Sequence, residues 1–140
     1  MELQVGIKAF SVNEKGQILL LEKNRDGRPY HKGKWDIPGG RIDAGLSLME
    51  NLAREVFEET GLIVDLSYIP KLLAAQDIIR DTFHVVRLTY WIHVKGTVTL
   101  SPEHLSCRWV TIPELKELIE ADEESALTDA VNGGVLDFIE

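Results

Sequence analysis

Four residues within one short stretch could do chemistry together: Arg54, Glu55, Glu58 and Glu59, in the segment LAREVFEETGL. The stretch lies behind the double glycine Gly39-Gly40 and ahead of Gly61, so a helix is expected between glycine boundaries. Helical neighbours lie three and four residues apart. At about 100° per residue, the glutamates fall within an arc of roughly 100°. The opposite arc, Met49, Leu52, Ala53, Val56 and Phe57, is apolar, so it is expected to pack while the carboxylates face outward. Like charges one turn apart destabilise an exposed helix by a few tenths of a kcal/mol. A divalent cation removes that cost, and hard oxygen ligands are what magnesium or manganese takes. For the glutamates alone, a solvated acidic face is the commoner explanation, because glutamate is also a good helix former.

The flanking residues change that balance. Gly40, Arg54, Glu55, Val56, Glu58, Glu59, Gly61 and Leu62 stand at the spacing of the signature of the Nudix hydrolases, which the chain resembles. Six of these positions demand a single residue type, so a chance match is on the order of one in ten million per alignment offset. The resemblance implies an α/β fold, a Nudix-type α/β/α sandwich with a mixed β-sheet, and hydrolysis of a diphosphate linked to a nucleoside. It implies Mg²⁺ or Mn²⁺ as cofactor, with Glu58 and Glu59 as ligands and Glu55 as a ligand or the base for a bound water. By the same resemblance Arg54 orients Glu55, and the carbonyl of Gly39 is a further candidate ligand beside Gly40, where glycine lets backbone approach closely. One position departs: the signature has a glutamate six residues after Gly40, and this chain has Leu46. Arg54 then needs another anion, and Glu50 and Glu58, one turn away on either side, are the expected partners.

Relatives also use a glutamate six residues before a tryptophan. Here Glu103 precedes Trp109 at that distance, in SPEHLSCRW, and is expected to bind metal or act as general base, against the alternative of an exposed loop carboxylate. Lys23 and Arg41 occupy positions where relatives hold phosphate-binding cations; solvated cations are the alternative. Trp35 could stack on a base, but a tryptophan on a core strand is the commoner case. Tags typical of ADP-ribose and diadenosine polyphosphate hydrolases are absent from the region of Asp77 to Arg80, which leaves the nucleoside triphosphate reading by default.

Other templates fail. GRPYHKGKW has one residue too many for a P-loop and Trp35 where Ser or Thr is needed. There is no GxSxG and no HExxH, the four histidines are scattered, and Cys107 is expected to pack in a strand.

The elements that must position these residues can be read in order. Val5–Val12 and Ile18–Leu21 read as strands about a turn, Asn24–Lys34 as a loop, and Trp35–Pro38 as extended chain because Ile37 precedes proline. Gly39-Gly40 is expected to make a tight turn, Ser47 to cap the helix in a capping box with Glu50, and Gly61 to stop it. Leu62–Asp65, Leu72–Ile79, His84–Val94 and Cys107–Val110 read as strands. A helix opens near Thr111 with Pro113 in its first position, and a last one is expected from about Ser125 to Val131.

With 140 residues the chain suits a single domain over 1–140. At 44% hydrophobic and 27% charged it has the composition of a soluble globular protein. It shows no membrane span, its N-terminus MELQVGIKAF lacks the pattern of a signal peptide, and Cys107 is its only cysteine. A cytoplasmic protein is expected. A net charge of −8 argues against binding a nucleic acid polymer but not against a small nucleotide delivered with magnesium. Much of the acid, Glu114, Glu117, Glu120, Asp122, Glu123 and Glu124, reads as a solvated helix face. A homodimer is among the assemblies the resemblance allows. The competing reading is a non-catalytic Nudix module that binds a nucleotide or a protein partner, favoured only by Leu46.

Overall fold

The computed structural model describes residues 1–24, 26 and 34–121. The expected helix at 125–131, the acidic residues 122–124, and most of the loop at 24–34 lie outside them. Within them the order is β1 (Glu2–Val12), β2 (Ile18–Lys23), β3 (Trp35–Asp36), β4 (Gly39–Arg41), α1 (Leu48–Thr60), β5 (Ile63–Val64), β6 (Lys71–Ile79), β7 (Phe83–Lys95), β8 (His104–Val110) and α2 (Ile112–Ala121).

The strands form one mixed sheet. β1 and β7 run parallel over their whole shared length, from Glu2 opposite Phe83 to Val12 opposite His93, while the other pairings are antiparallel. A parallel strand buried on both faces carries continuous apolar residues instead of alternating ones, which is why β1 shows no clean alternation. Ile7 and Ala9 point to one face, where Leu52 and Val56 of α1 cover them. Phe10 and Val12 point to the other, where Leu115 and Ile119 of α2 lie. β2 divides likewise, Leu19 and Leu21 toward α1, Ile18 and Leu20 toward α2. Helices therefore cover both faces of the mixed sheet, as the resemblance implies, and each buried Leu or Ile contributes about 1.5–3 kcal/mol.

The caps of α1 follow the sequence. Ser47 Oγ accepts from the Glu50 N–H at 3.1 Å, and Gly61, at φ 74°, donates its N–H to the Phe57 carbonyl at 2.8 Å. α2 begins one residue before Pro113, and its capping box joins Thr111 and Glu114 reciprocally at 3.0 and 3.3 Å.

Two expectations are corrected. Gly39-Gly40 is not a tight turn but strand β4, paired antiparallel with β1 so that Lys8 faces Gly39 and Ile7 faces Gly40. The glycine serves close approach: at Gly39, φ 152°, a Cβ would lie 2.0 Å from the Ile7 carbonyl oxygen. Cys107 lies in a strand as expected, but on the exposed side of β8.

Candidate active site

The buried line of α1 runs through Leu52, Val56 and Glu59, at i, i+4 and i+7, and continues to Thr60. This rotates the helix from the expected orientation. Phe57 lies off that line and is exposed, whereas Glu59 lies on it and is only 9% exposed. The glutamates thus do not share a solvent face: Glu58 is exposed, Glu55 is mostly buried, and Glu59 is enclosed.

What encloses Glu59 and Glu55 is the double glycine. Glu59 Oε2 accepts the Gly39 N–H at 3.1 Å. At Gly40 a Cβ would come within 2.8 Å of Glu55 Oε2, so only a glycine leaves room for that carboxylate. Strand β4 and helix α1 therefore meet through backbone on one side and carboxylates on the other.

The electrostatics follow from that burial. Removal from water is the largest influence on Glu59, with Asp36 and Glu55 adding repulsion; against Lys8 and the Gly39 N–H they push its pKa up to about 8. Burial also raises Glu55, helped by the charges of Glu58, Glu103 and Asp43 and opposed by Arg54. Asp36 behaves oppositely: burial disfavours its charge, but Lys8, Lys23 and the Ile37 N–H hold it below the usual carboxylate range. Lys8 Nζ donates to Asp36 Oδ1 at 2.5 Å. Lys8 and Asp36 are functional candidates that the sequence reading missed, although a lone lysine in an otherwise apolar strand was a signal.

Glu103 reaches this cluster through backbone. The Thr99 N–H donates to the Thr60 carbonyl at 2.7 Å and the Ser101 N–H to the Glu59 carbonyl at 3.0 Å. These bonds satisfy carbonyls that a helix end leaves open, and they bring exposed Glu103 near enough for its charge to be felt at Glu55.

Arg54 does not pair with Glu50 or Glu58. Its Nη1 meets Asp43 Oδ2 at 2.8 Å, and its Nη2 donates to Asn51 Oδ1 at 3.0 Å and lies 3.3 Å from Glu55 Oε1. Asn51 is fully buried, a polar residue on the packing face of α1 that the sequence reading passed over.

The expected phosphate-binding and stacking residues separate. Arg41 is exposed, its guanidinium 5.2 Å above the Phe83 ring, beside a cavity of about 180 Å³ that Lys8, Gly40, Phe83 and Arg87 also line. Lys23, at the end of β2, lies near enough to Asp36 to lower its pKa. Trp35 is 8% exposed and packed in the core facing α2, with Lys34 Nζ 5.1 Å from its ring, so it is a core residue and not a stacking platform.

The donors suit a divalent cation in kind. Glu55, Glu58, Glu59 and the carbonyls of β4 offer hard oxygens, and the raised pKa values of Glu55 and Glu59 are those of carboxylates held out of water, with neighbouring acids adding repulsion. Among the described residues no three acidic, histidine or cysteine side chains are already drawn around one point, so ligation would bring the carboxylates closer together.

Comparison with known proteins fits this geometry. The NUDIX domain model matches residues 2–130. A putative 8-oxo-dGTP diphosphatase 2 of Mycobacterium tuberculosis is 32% identical over 125 residues, covering 86% of this chain and 85% of the relative. Phosphatase NudJ of Escherichia coli is 28% identical over 110 residues, 76% of this chain and 68% of its own. The crystal structure of a MutT protein from Methanosarcina mazei Go1 superimposes with a TM-score of 0.72 at 26% identity, over 99% of this chain and 93% of that one. A MutT NUDIX hydrolase from Burkholderia pseudomallei gives 0.66 at 26% identity, over 81% and 86%. With the signature on α1, the sheet topology and a model match over nearly the whole chain, the protein belongs to the NUDIX family.

Proposed function

We propose that this protein is a Mg²⁺-dependent hydrolase (Mn²⁺ serving as well) that cleaves the diphosphate linkage of a nucleoside triphosphate or related nucleoside diphosphate derivative, releasing a nucleoside monophosphate. The observation that carries this reading is the meeting of Glu55 and Glu59 against Gly39-Gly40, two carboxylates held where their own charges are disfavoured. The reaction needs water to attack an anionic phosphorus, and the metal would supply neutralisation of the phosphate oxygens and acidification of that water. Glu55, Glu58 and Glu59, with the Gly39 carbonyl, would hold it. Arg54 fixes Glu55 by direct contact. Glu103, outside the ligand helix but near enough for its charge to be felt at Glu55, takes the proton of the attacking water. Arg41, beside the cavity that Gly40 lines, and Lys23, near Asp36, are the cations offered to phosphate oxygens.

Glu103→Gln is therefore expected to lower kcat by about 100-fold or more while leaving the Mn²⁺ dissociation constant within a factor of three or so, as calorimetry would show. An equal loss of both would make Glu103 a ligand instead.

The test of the whole reading is phosphate release across a nucleotide panel during a Mg²⁺ titration, with chelator as control. The panel includes oxidised guanine nucleotides because one relative is named a putative 8-oxo-dGTP diphosphatase. Hydrolysis is expected with Mg²⁺ or Mn²⁺, little with Ca²⁺, whose looser coordination holds an in-line attack less well, and none in excess EDTA. Undiminished turnover in EDTA sinks the metal mechanism. The single-domain organisation over 1–140, a cytoplasmic location and a homodimer belong to the same proposal; no helix among the described residues is long and apolar enough to cross a membrane. The non-catalytic reading rested on Leu46, and the contact between Arg54 and Asp43 weakens that ground.

A further inference from the structure

We infer that Asp43 is a positioning residue for the metal site, standing in for the signature glutamate that Leu46 replaces, and that buried Asn51 is the hub through which it acts. The inference rests on the hydrolase reading above and concerns how this chain keeps Glu55 in place.

Leu46 leaves Arg54 without its usual nearby acid. An arginine on a helix holding a loose conformation would leave Glu55 loose too, because Arg54 Nη2 is in contact with Glu55 Oε1. The geometry shows what replaces the missing acid. Asp43 Oδ2 lies 2.8 Å from Arg54 Nη1, on the opposite side of the guanidinium fork from Glu55. Asp43 belongs to the segment between β4 and α1, and such a segment would ordinarily wander. Here Asn51 ties it down. Asn51 Oδ1 accepts the Asp43 N–H at 2.8 Å and Arg54 Nη2 at 3.0 Å, and Asn51 Nδ2 donates to the carbonyl of Ser47 at 2.9 Å. Longer bonds reach the carbonyls of Leu46 at 3.3 Å and Asp43 at 3.4 Å. One fully buried amide therefore fixes the loop that carries the acid and the arginine that receives it. Fully satisfied buried polar groups specify one arrangement.

Position 46 abuts the same hub through its carbonyl, while its side chain stays partly exposed. Arg54 Nε is buried without a hydrogen-bond partner. The two Nη atoms are thus served by Asp43, Asn51 and Glu55, and Nε is the donor left over. Nε is the donor that a carboxylate introduced at position 46 would have to reach.

This arrangement makes Asp43 and position 46 interchangeable suppliers of one charge, which a four-way comparison tests: wild type, Asp43→Asn, Leu46→Glu and the double substitution. Three quantities are read in each: the Mn²⁺ dissociation constant by calorimetry, kcat and KM on the best nucleotide of the panel, and the melting temperature of the metal-free protein. Asp43→Asn keeps the backbone N–H that Asn51 accepts and removes only the charge. Partners that orient ligands are typically worth 10- to 100-fold in metal affinity or activity, so Asp43→Asn is expected to weaken Mn²⁺ binding and kcat by about 10-fold or more, with KM changing less. The Asp43 side chain is 64% exposed, and exposed ion pairs contribute little to stability; the metal-free melting temperature is expected to move by no more than about 4 °C. Leu46→Glu alone is expected to change affinity by less than about threefold, and in the Asp43→Asn background to restore most of the loss by returning an anion to Arg54.

If Asp43→Asn leaves affinity and kcat unchanged in an active wild type, Asp43 is idle and the inference is overturned while the hydrolase reading stands. If Leu46→Glu tightens the wild type by as much as it tightens Asp43→Asn, the two carboxylates act independently and the substitution of one for the other is wrong. A wild type that neither binds Mn²⁺ nor hydrolyses any nucleotide overturns both readings.

Discussion

Glu59→Gln is expected to lower kcat by at least about 100-fold, the scale set by loss of metal-dependent charge stabilisation, while making the stability of the metal-free protein less sensitive to a rise in pH from about 5 to 8. The two effects have one origin. Glu59 is enclosed by β4, and burial pushes its pKa from 4.5 to about 8. The folded, metal-free protein therefore holds this proton more tightly than the unfolded chain does. Stability from that proton is full below about pH 4.5, declines as pH rises toward about 8, and changes no further above it. The decline is on the order of a few kcal/mol at most. Glutamine keeps the acceptor for the Gly39 N–H but cannot lose a proton, so the metal-free melting temperature of the variant should stay flatter between about pH 5 and 8. Mg²⁺ should flatten the wild-type curve by the same logic, because it favours the charged form. Glu50→Gln, on the exposed first turn of α1, serves as control for both readings. If Glu59→Gln matches that control in rate, the enclosed carboxylate plays no part in hydrolysis.

The double glycine should split into a structural and a functional half. Gly39→Ala asks for a left-handed φ of 152° and places a Cβ 2.0 Å from the Ile7 carbonyl oxygen, against backbone that cannot yield cheaply. Strained φ and overpacking each cost about 1–3 kcal/mol, so a loss of about 3 kcal/mol or more is expected, read as a collapse in denaturation midpoint. Gly40→Ala meets instead the Glu55 carboxylate, at 2.8 Å from Oε2. A side-chain end can rotate away, so the fold should survive with a loss of about 1 kcal/mol or less, while metal affinity falls by about 10-fold or more because a ligand has been displaced. Denaturation and Mn²⁺ calorimetry on both variants separate the halves. Equal stability losses would mean that Glu55 is not free to move.

The sequence made the helix, its caps and most strands legible because each is written locally: Ser47 and Gly61 bound α1, and branched residues mark β6 and β7. It misplaced what depends on pairing. Gly39-Gly40 looked like a turn because glycines usually are, and only the register with Ile7 and Lys8 shows a strand that needs glycine for contact. The rotation of α1 was misjudged for a related reason. Composition makes Phe57 the apolar member and Glu59 the polar one, but the helix buries the line that faces β1 and β4, and that line runs through a carboxylate. The partner of Arg54 was sought one turn away on its own helix, whereas Asp43 approaches from the preceding segment, a contact that spacing cannot reveal. Asn51 could have been noticed as an amide where a hydrophobic residue was due.

The strap from Thr99 to Ser101 carries a consequence for divergence among descendants of this chain. It holds Glu103 to the end of α1 by the N–H groups of Thr99 and Ser101, given to the carbonyls of Thr60 and Glu59, while Val98 and Leu100 pack against the core. The bonds at 99 and 101 therefore ask only that the residue not be proline, since any other supplies the same donor, whereas 98 and 100 must stay apolar. Glu103 keeps its address while the letters at 99 and 101 change, and a glutamate at a fixed distance from the end of α1 is what such a lineage would leave behind.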